Sequence, residues 1–143
     1  MTASKNLESF LQKNFEKDNF SIRRTTKKGT LPRVPFLALK NAVLGENYDL
    51  SLVFASPALS RKLNRTHRGK DKSANVLSFP LTKTSGELFL DLETSRTEAP
   101  LFERTYTNFI AFLFIHGLFH LKGFEHSGIM ENKERAVRKS FNI

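Results

Sequence analysis

Apolar positions recur at helical spacing near the start of the chain, where Leu7, Phe10, Leu11 and Phe15 predict an amphipathic helix over residues 4 to 17. Residues 20 to 25 alternate loosely and predict a strand, followed by a turn at 27 to 30. Pro32 and Pro35 sit where a helix's first turn tolerates proline, so residues 36 to 44 read as a helix stopped by Gly45. Leu50, Leu52 and Phe54 share one face of a strand over 49 to 55. Ser56-Pro57 then supplies an N-cap and first helical residue for a short helix through Asn64. A polar, basic loop is expected from Arg65 to Ala74, then strands over 75 to 79 and 87 to 92. The longest helix is expected over 102 to 122. Ser127 would cap a last one through Ser140, with Met130, Val137 and Phe141 turned inward. Strands and helices mix without regular βαβ repetition. The expectation is one domain over residues 1 to 143, an α+β or α/β layered arrangement with a small sheet.

Composition narrows the class. A chain of 143 residues with 39% hydrophobic content can bury a core as a single domain. With no cysteine it has neither disulfides nor thiolate metal ligands, which fits a reducing, cytoplasmic setting. No apolar run approaches the roughly twenty residues of a membrane span, and the start of the chain lacks the apolar core of a secretory signal. The net charge is +9, unevenly spread. Residues 61 to 72 hold six Lys or Arg against one acid, whereas 86 to 104 hold five acids against two basic residues. A clustered positive field suits a polyanionic partner, nucleic acid first.

The sharpest chemistry lies in residues 116 to 126, His-Gly-Leu-Phe-His-Leu-Lys-Gly-Phe-Glu-His. A lone His on an apolar helix is ordinarily a core residue with one hydrogen bond. Here three of the chain's four His fall within this one segment. His116 and His120, four apart, share a helix face. Gly123 suits the left-handed residue that ends a helix, after which His126 can return as a third ligand. Three imidazoles with an open fourth position suit a catalytic zinc, although copper and nickel bind such donors comparably or more tightly. The spacing is that of the long zinc-protease motif, but Gly117 stands where that motif carries its general base. Peptide hydrolysis by the usual route is therefore disfavoured.

A second segment, Leu63 to Pro80, is a basic stretch running into a strand. Arg68 offers a planar fork of donors for a phosphate, and Arg65, Lys70 and Lys72 add positive charge. Taken together, the two segments resemble the YbeY family of metal-dependent endoribonucleases. Leu63, Asn64, Arg68 to Asp71 and Val76 to Pro80 match one family motif. His116, Gly117, His120, Leu121, Gly123 and His126 match the other. Gly86-Glu87-Leu88 resembles a strand start of the family, and Met130 and Glu134 its last helix. The chain departs from the family at His67 (for Tyr), Ala74-Asn75 (for Thr-Asp), Phe119 (for Leu), Phe124 (for Tyr) and Glu125 (for Asp). The first 30 residues match poorly.

The resemblance implies a zincin-like α+β fold whose central helix binds metal. It also implies hydrolysis of single-stranded RNA in ribosomal RNA maturation and quality control, with the small ribosomal subunit as partner. His116, His120 and His126 would hold the ion, Zn2+ or another divalent transition metal. Arg68 would brace the scissile phosphate, and Arg65, Lys70 and Lys72 would follow the RNA backbone. The general base is not assigned; His67 is a candidate, and Glu125, beside a ligand, would either orient a ligand imidazole or face solvent in a turn. Two other readings stand beside this one: a non-catalytic ribosome-associated RNA-binding domain, and a metallohydrolase of another kind, with a peptidase disfavoured by Gly117.

Overall fold

The computed structural model describes residues 15–17 and 19–143. Most of the expected first helix lies outside them. The described part of it, Phe15–Lys17, is strand β1, antiparallel to β2 (Phe20–Arg24) with Phe15 opposite Ile22. Two residues link the strands, and Asn19 takes φ +58°, a left-handed conformation that Asn tolerates. Pairing with a neighbouring strand overrides a four-residue helical spacing.

Helix α1 (Phe36–Leu44) carries the chain from β2 to β3 (Asp49–Ala55), which lies parallel to β2, so one βαβ crossover does occur. Gly45 at φ +91° ends α1, its N–H bonding the Asn41 carbonyl at 3.0 Å. Helix α2 (Pro57–Arg68) starts as expected: the Ser56 side chain accepts from the Leu59 N–H. It then runs four residues past Asn64. Arg65, His67 and Arg68 occupy its last turn, where positive charge suits the helix dipole, and Gly69 at φ +69° closes it. Arg65 and Arg68 are therefore helical, not loop, residues.

Strand β4 (Val76–Thr82) turns back antiparallel into β5 (Ser85–Asp91), and β5 inserts beside β3 in parallel. The sheet order is β1-β2-β3-β5-β4, a mixed sheet. Pro80 is accommodated because β4 is an edge strand, and the register shifts beside it. Asp91 caps an unexpected short helix, α3 (Leu92–Glu98), and a 3₁₀ turn over Ala99–Phe102 follows. The long helix α4 thus begins at Tyr106 rather than 102. Thr105 is its N-cap, and it runs to Leu121. Ser127 caps α5 (Gly128–Ser140), as the sequence predicts.

Helix α4 is the core's centrepiece. Phe109, Ile110, Phe114, Ile115 and Leu118 are fully buried, as are Leu50, Leu52, Leu88 and Leu90 of the sheet beneath. Phe36 of α1 meets Phe114 edge-on at 4.9 Å, a contact worth about 0.5–1.5 kcal/mol beyond its buried area. Helix α4 comes close against the sheet at Gly117. A Cβ there would sit 2.6 Å from Leu88 Cδ1 and 2.9 Å from Ser78 Oγ. Ser78 Oγ donates to the Gly117 carbonyl at 3.0 Å. Among the described residues, no helix is long and apolar enough to cross a membrane.

Candidate metal centre and its cleft

Leu118 to Phe124 end α4 in a Schellman motif. The Phe124 N–H bonds the Phe119 carbonyl at 3.1 Å and the Gly123 N–H the His120 carbonyl at 3.0 Å, with Gly123 at φ +105°. Phe119 and Phe124 pack edge-on at 5.9 Å, the apolar contact that accompanies this motif. The reversal does two things. It aims the Phe124 carbonyl at His120 Nδ1, 3.0 Å away, and it returns the chain so that the His126 ring lies 4.6 Å from that of His120 and 5.0 Å from that of His116.

Hydrogen bonds set the proton positions. A carbonyl only accepts, so His120 Nδ1 carries its proton toward Phe124 and leaves a lone pair on Nε2. His116 Nδ1 lies 3.0 Å from Oε1 of Glu134, a buried carboxylate on α5, and the same logic frees its Nε2. The two Nε2 atoms face each other at 3.1 Å. Two lone pairs so placed repel unless a cation or proton lies between them. Burial, reinforced by the adjacent His116, pushes the His120 pKa below the usual imidazole value and so disfavours the extra proton. A metal ion fits the donor set: nitrogens about 2.0–2.1 Å from one ion at tetrahedral angles lie about 3.3 Å apart. One ligand atom from each of His116, His120 and His126 falls within 4.8 Å of the others. Among the described residues this cluster has no fourth protein donor, so a bound ion would keep an open position.

The three His line a cleft of about 950 Å³ together with His67, Arg68, Glu125, Asn75 and the strand residues Val76 to Phe79. The structure thus brings Arg68, from the end of α2, into one cleft with the three His. It is exposed and makes no ion pair among the described residues. Arg65, Lys70 and Lys72 are exposed but do not line the cleft. Arg65 lies 3.5 Å from Asp71, whose carboxylate is held bidentate by Arg61 at 2.9 and 3.1 Å and is thereby kept below its ordinary pKa. The basic loop is strapped to α2: Ser60 Oγ donates to the Ala74 carbonyl at 2.6 Å, and Asn64 Nδ2 to that of Lys72 at 2.9 Å.

Of the departures noted in the sequence, Asn75 donates to Glu98 Oε1 at 2.7 Å, so an Asp there would face a second carboxylate. His67 packs its ring on Phe79 at 4.8 Å. Glu125 is exposed in the cleft, and the carboxylate that bonds an imidazole of the cluster is Glu134 instead. Sequence reasoning missed that role. Its signal was the match of Met130 and Glu134 to the family's last helix, which marks the position without its partner.

A sequence model described as endoribonuclease YbeY matches residues 12–142. The chain belongs to the endoribonuclease YbeY family. An endoribonuclease YbeY of Finegoldia magna is 34% identical over 110 residues, covering 68% of this chain and 72% of the relative. One from Methylocella silvestris is also 34% identical, over 77% of this chain and 69% of its own length. A solution structure of a Thermotoga maritima protein shares the fold, with a TM-score of 0.55 at 24% identity over 85% of this chain and 91% of that one. The family is one of enzymes that cleave RNA internally, and the His cluster fits its metal dependence.

Proposed function

We propose that this chain carries out the family's endoribonuclease activity on single-stranded ribosomal RNA, in the cytoplasm and in association with the small ribosomal subunit. One domain spanning residues 1–143 would carry it. His116, His120 and His126 hold the ion, zinc by donor type. The observation that carries this reading is the pair of Nε2 atoms 3.1 Å apart, both freed by bonds to Nδ1, opening on the cleft that also receives Arg68. When bound, such an ion acidifies water and polarises a phosphoryl oxygen.

The chain's own groups do the rest. Glu134 and the Phe124 carbonyl fix the tautomers and orientations of two ligand rings. Arg68 presents two parallel N–H donors to the scissile phosphate and offsets charge that develops there. Lys70 and Lys72, exposed just beyond Arg68, meet neighbouring phosphates, while Arg65 shares its charge with Asp71. The aromatic and apolar lining of the cleft suits unpaired bases rather than a duplex.

The test is cleavage of single-stranded RNA by zinc-loaded protein, with and without chelator, beside His120→Ala. Cleavage lost to both chelator and substitution is expected. Cleavage that survives both would place the activity elsewhere. Folded, metal-bound protein that binds RNA in a salt-sensitive way without cutting it would favour a purely binding role.

A further inference from the structure

One turn before His116 on the same face of α4 stands Phe112, at the end of an aromatic ladder. Phe102 stacks on buried Phe109 at 4.9 Å and 25°, and Phe109 lies nearly parallel to Phe112 at 6.0 Å and 14°. Phe102 is 52% exposed, and both it and Phe112 line the cleft that holds the three His. Two guanidiniums converge here: Arg104 lies 4.2 Å and Arg138 5.0 Å from the Phe112 ring centre. Neither makes an ion pair among the described residues. The acids on Arg138's own helix hydrogen-bond other groups, Glu134 with His116 and Glu131 with Arg135 at 3.0 Å, and attract Arg138 only through space, while Arg104 repels it. Arg104 bonds only the neutral Asn108 side chain and the Phe112 ring. Phe102, whose exposed ring lines the cleft, and the two guanidiniums over its ladder neighbour Phe112 together match the chemistry of a nucleotide: a flat apolar face for a base and positive charge for its phosphate.

We propose that Phe102, with Arg104 and Arg138, forms a nucleotide subsite of the cleft, in which one unpaired base of the RNA strand stacks on Phe102 and its phosphate is met by the two arginines. The subsite rests on the reading of this cleft as an RNA-cleaving centre, and it adds substrate positioning one helical turn from the metal ligands. A stacked base tolerates any sequence, since every base has a π-face. The subsite therefore selects single strands over duplexes without a base code.

The experiment measures kcat and KM of the zinc-loaded full chain on a short single-stranded RNA across a salt series. Phe102→Ala is expected to raise KM on the order of tenfold, with Phe102→Tyr restoring it. Arg104→Gln with Arg138→Gln is expected to flatten the salt dependence of kcat/KM by about 0.7 for each phosphate no longer neutralised. An RNA carrying an abasic nucleotide at the stacked position should be insensitive to Phe102→Ala. If Phe102→Ala fails to fold, the arginine pair carries the test. Wild-type protein that cleaves RNA while these variants keep its KM and salt slope would overturn the subsite and leave the function standing. A loss confined to kcat would also overturn it. Wild-type protein that, loaded with metal, neither binds nor cuts RNA would remove the function, and the subsite with it.

Discussion

Glu134 offers the cleanest handle on the proposed metal centre, because it touches His116, a proposed ligand, without being one. Its carboxylate is buried, with 8% of the side chain exposed, and bonds His116 Nδ1 at 3.0 Å. Removing it in Glu134→Ala leaves the His116 ring free to rotate and to move its proton to Nε2, which would switch off that donor. Outer partners of this kind are typically worth 10- to 100-fold in metal affinity, or about 1.4–2.8 kcal/mol. Glu134→Gln keeps an acceptor oxygen and loses only the charge. Charge-assisted bonds are roughly twice as strong as neutral ones, so about half of that free energy should return.

The assay is zinc competition against a chromogenic chelator, with thermal unfolding of the metal-free variants as a folding control. The expected order of affinity is wild type, then Glu134→Gln, then Glu134→Ala, then His116→Ala. A second signature separates orientation from bulk stability. His116→Ala strands a buried carboxylate at a cost of about 1–3 kcal/mol, which His116→Ala/Glu134→Gln should largely recover in the metal-free melt. Wild-type zinc affinity in Glu134→Ala, beside a loss in His116→Ala, would refute the argument. So would a lowered melting point with unchanged affinity, since that would make the carboxylate structural only.

Arg68→Ala should reduce RNA cleavage on the order of a hundredfold while metal content stays constant by elemental analysis; full activity would remove Arg68 from the chemistry. Gly117→Ala should lose about 1–3 kcal/mol in a denaturant melt, because its Cβ would collide with Leu88 and Ser78. Helix propensity returns at most about 1 kcal/mol, and wild-type stability would contradict the close approach. Asp91 is buried, and that burial raises its pKa above the ordinary carboxylate value. Its stability contribution is therefore full below about pH 3.9 and diminishes as pH rises through the raised value. Asp91→Asn, which still caps α3, should melt at or above wild type at neutral pH and flatten the rise toward acid. Asp91→Ala should lose about 1 kcal/mol of capping at neutral pH.

The parts of the fold that were legible in the sequence are those decided by local chemistry. Ser56-Pro57, Ser127 and Gly45 mark helix ends correctly because a cap is made by residues three or four positions away. The same local rule, read more fully, covers two misses. Asp91 caps α3 through the Thr94 N–H at 2.9 Å, and the basic turn before Gly69 carries α2 beyond Asn64. Strand β1 is different in kind. Residues 15–17 are extended because β2 lies beside them, and a helical spacing upstream says nothing of that neighbour. The three His are legible because two sit on one helix and the third follows its terminator. Glu134, on another helix, reaches His116 across 18 residues of sequence with no fixed spacing to betray it.

Gly117 joins the two kinds of information. As a letter in the sequence, it removes the acid that a protease of the same His spacing needs. As a place in the fold, it is where α4 lies close against β5 and β4, with Leu88 and Ser78 filling the space of any side chain. The helix that brings His116 and His120 together therefore carries no base between them, and steric packing alone would keep one out. What the cleft has in its place is Arg68, a group that stays positively charged and donates only, contributed by the end of a different helix. A centre with three imidazoles placed to hold a metal, a fixed cation and no adjoining carboxylate on the helix of His116 and His120 is arranged around a substrate that is itself anionic. That is the chemistry of a phosphodiester rather than a peptide.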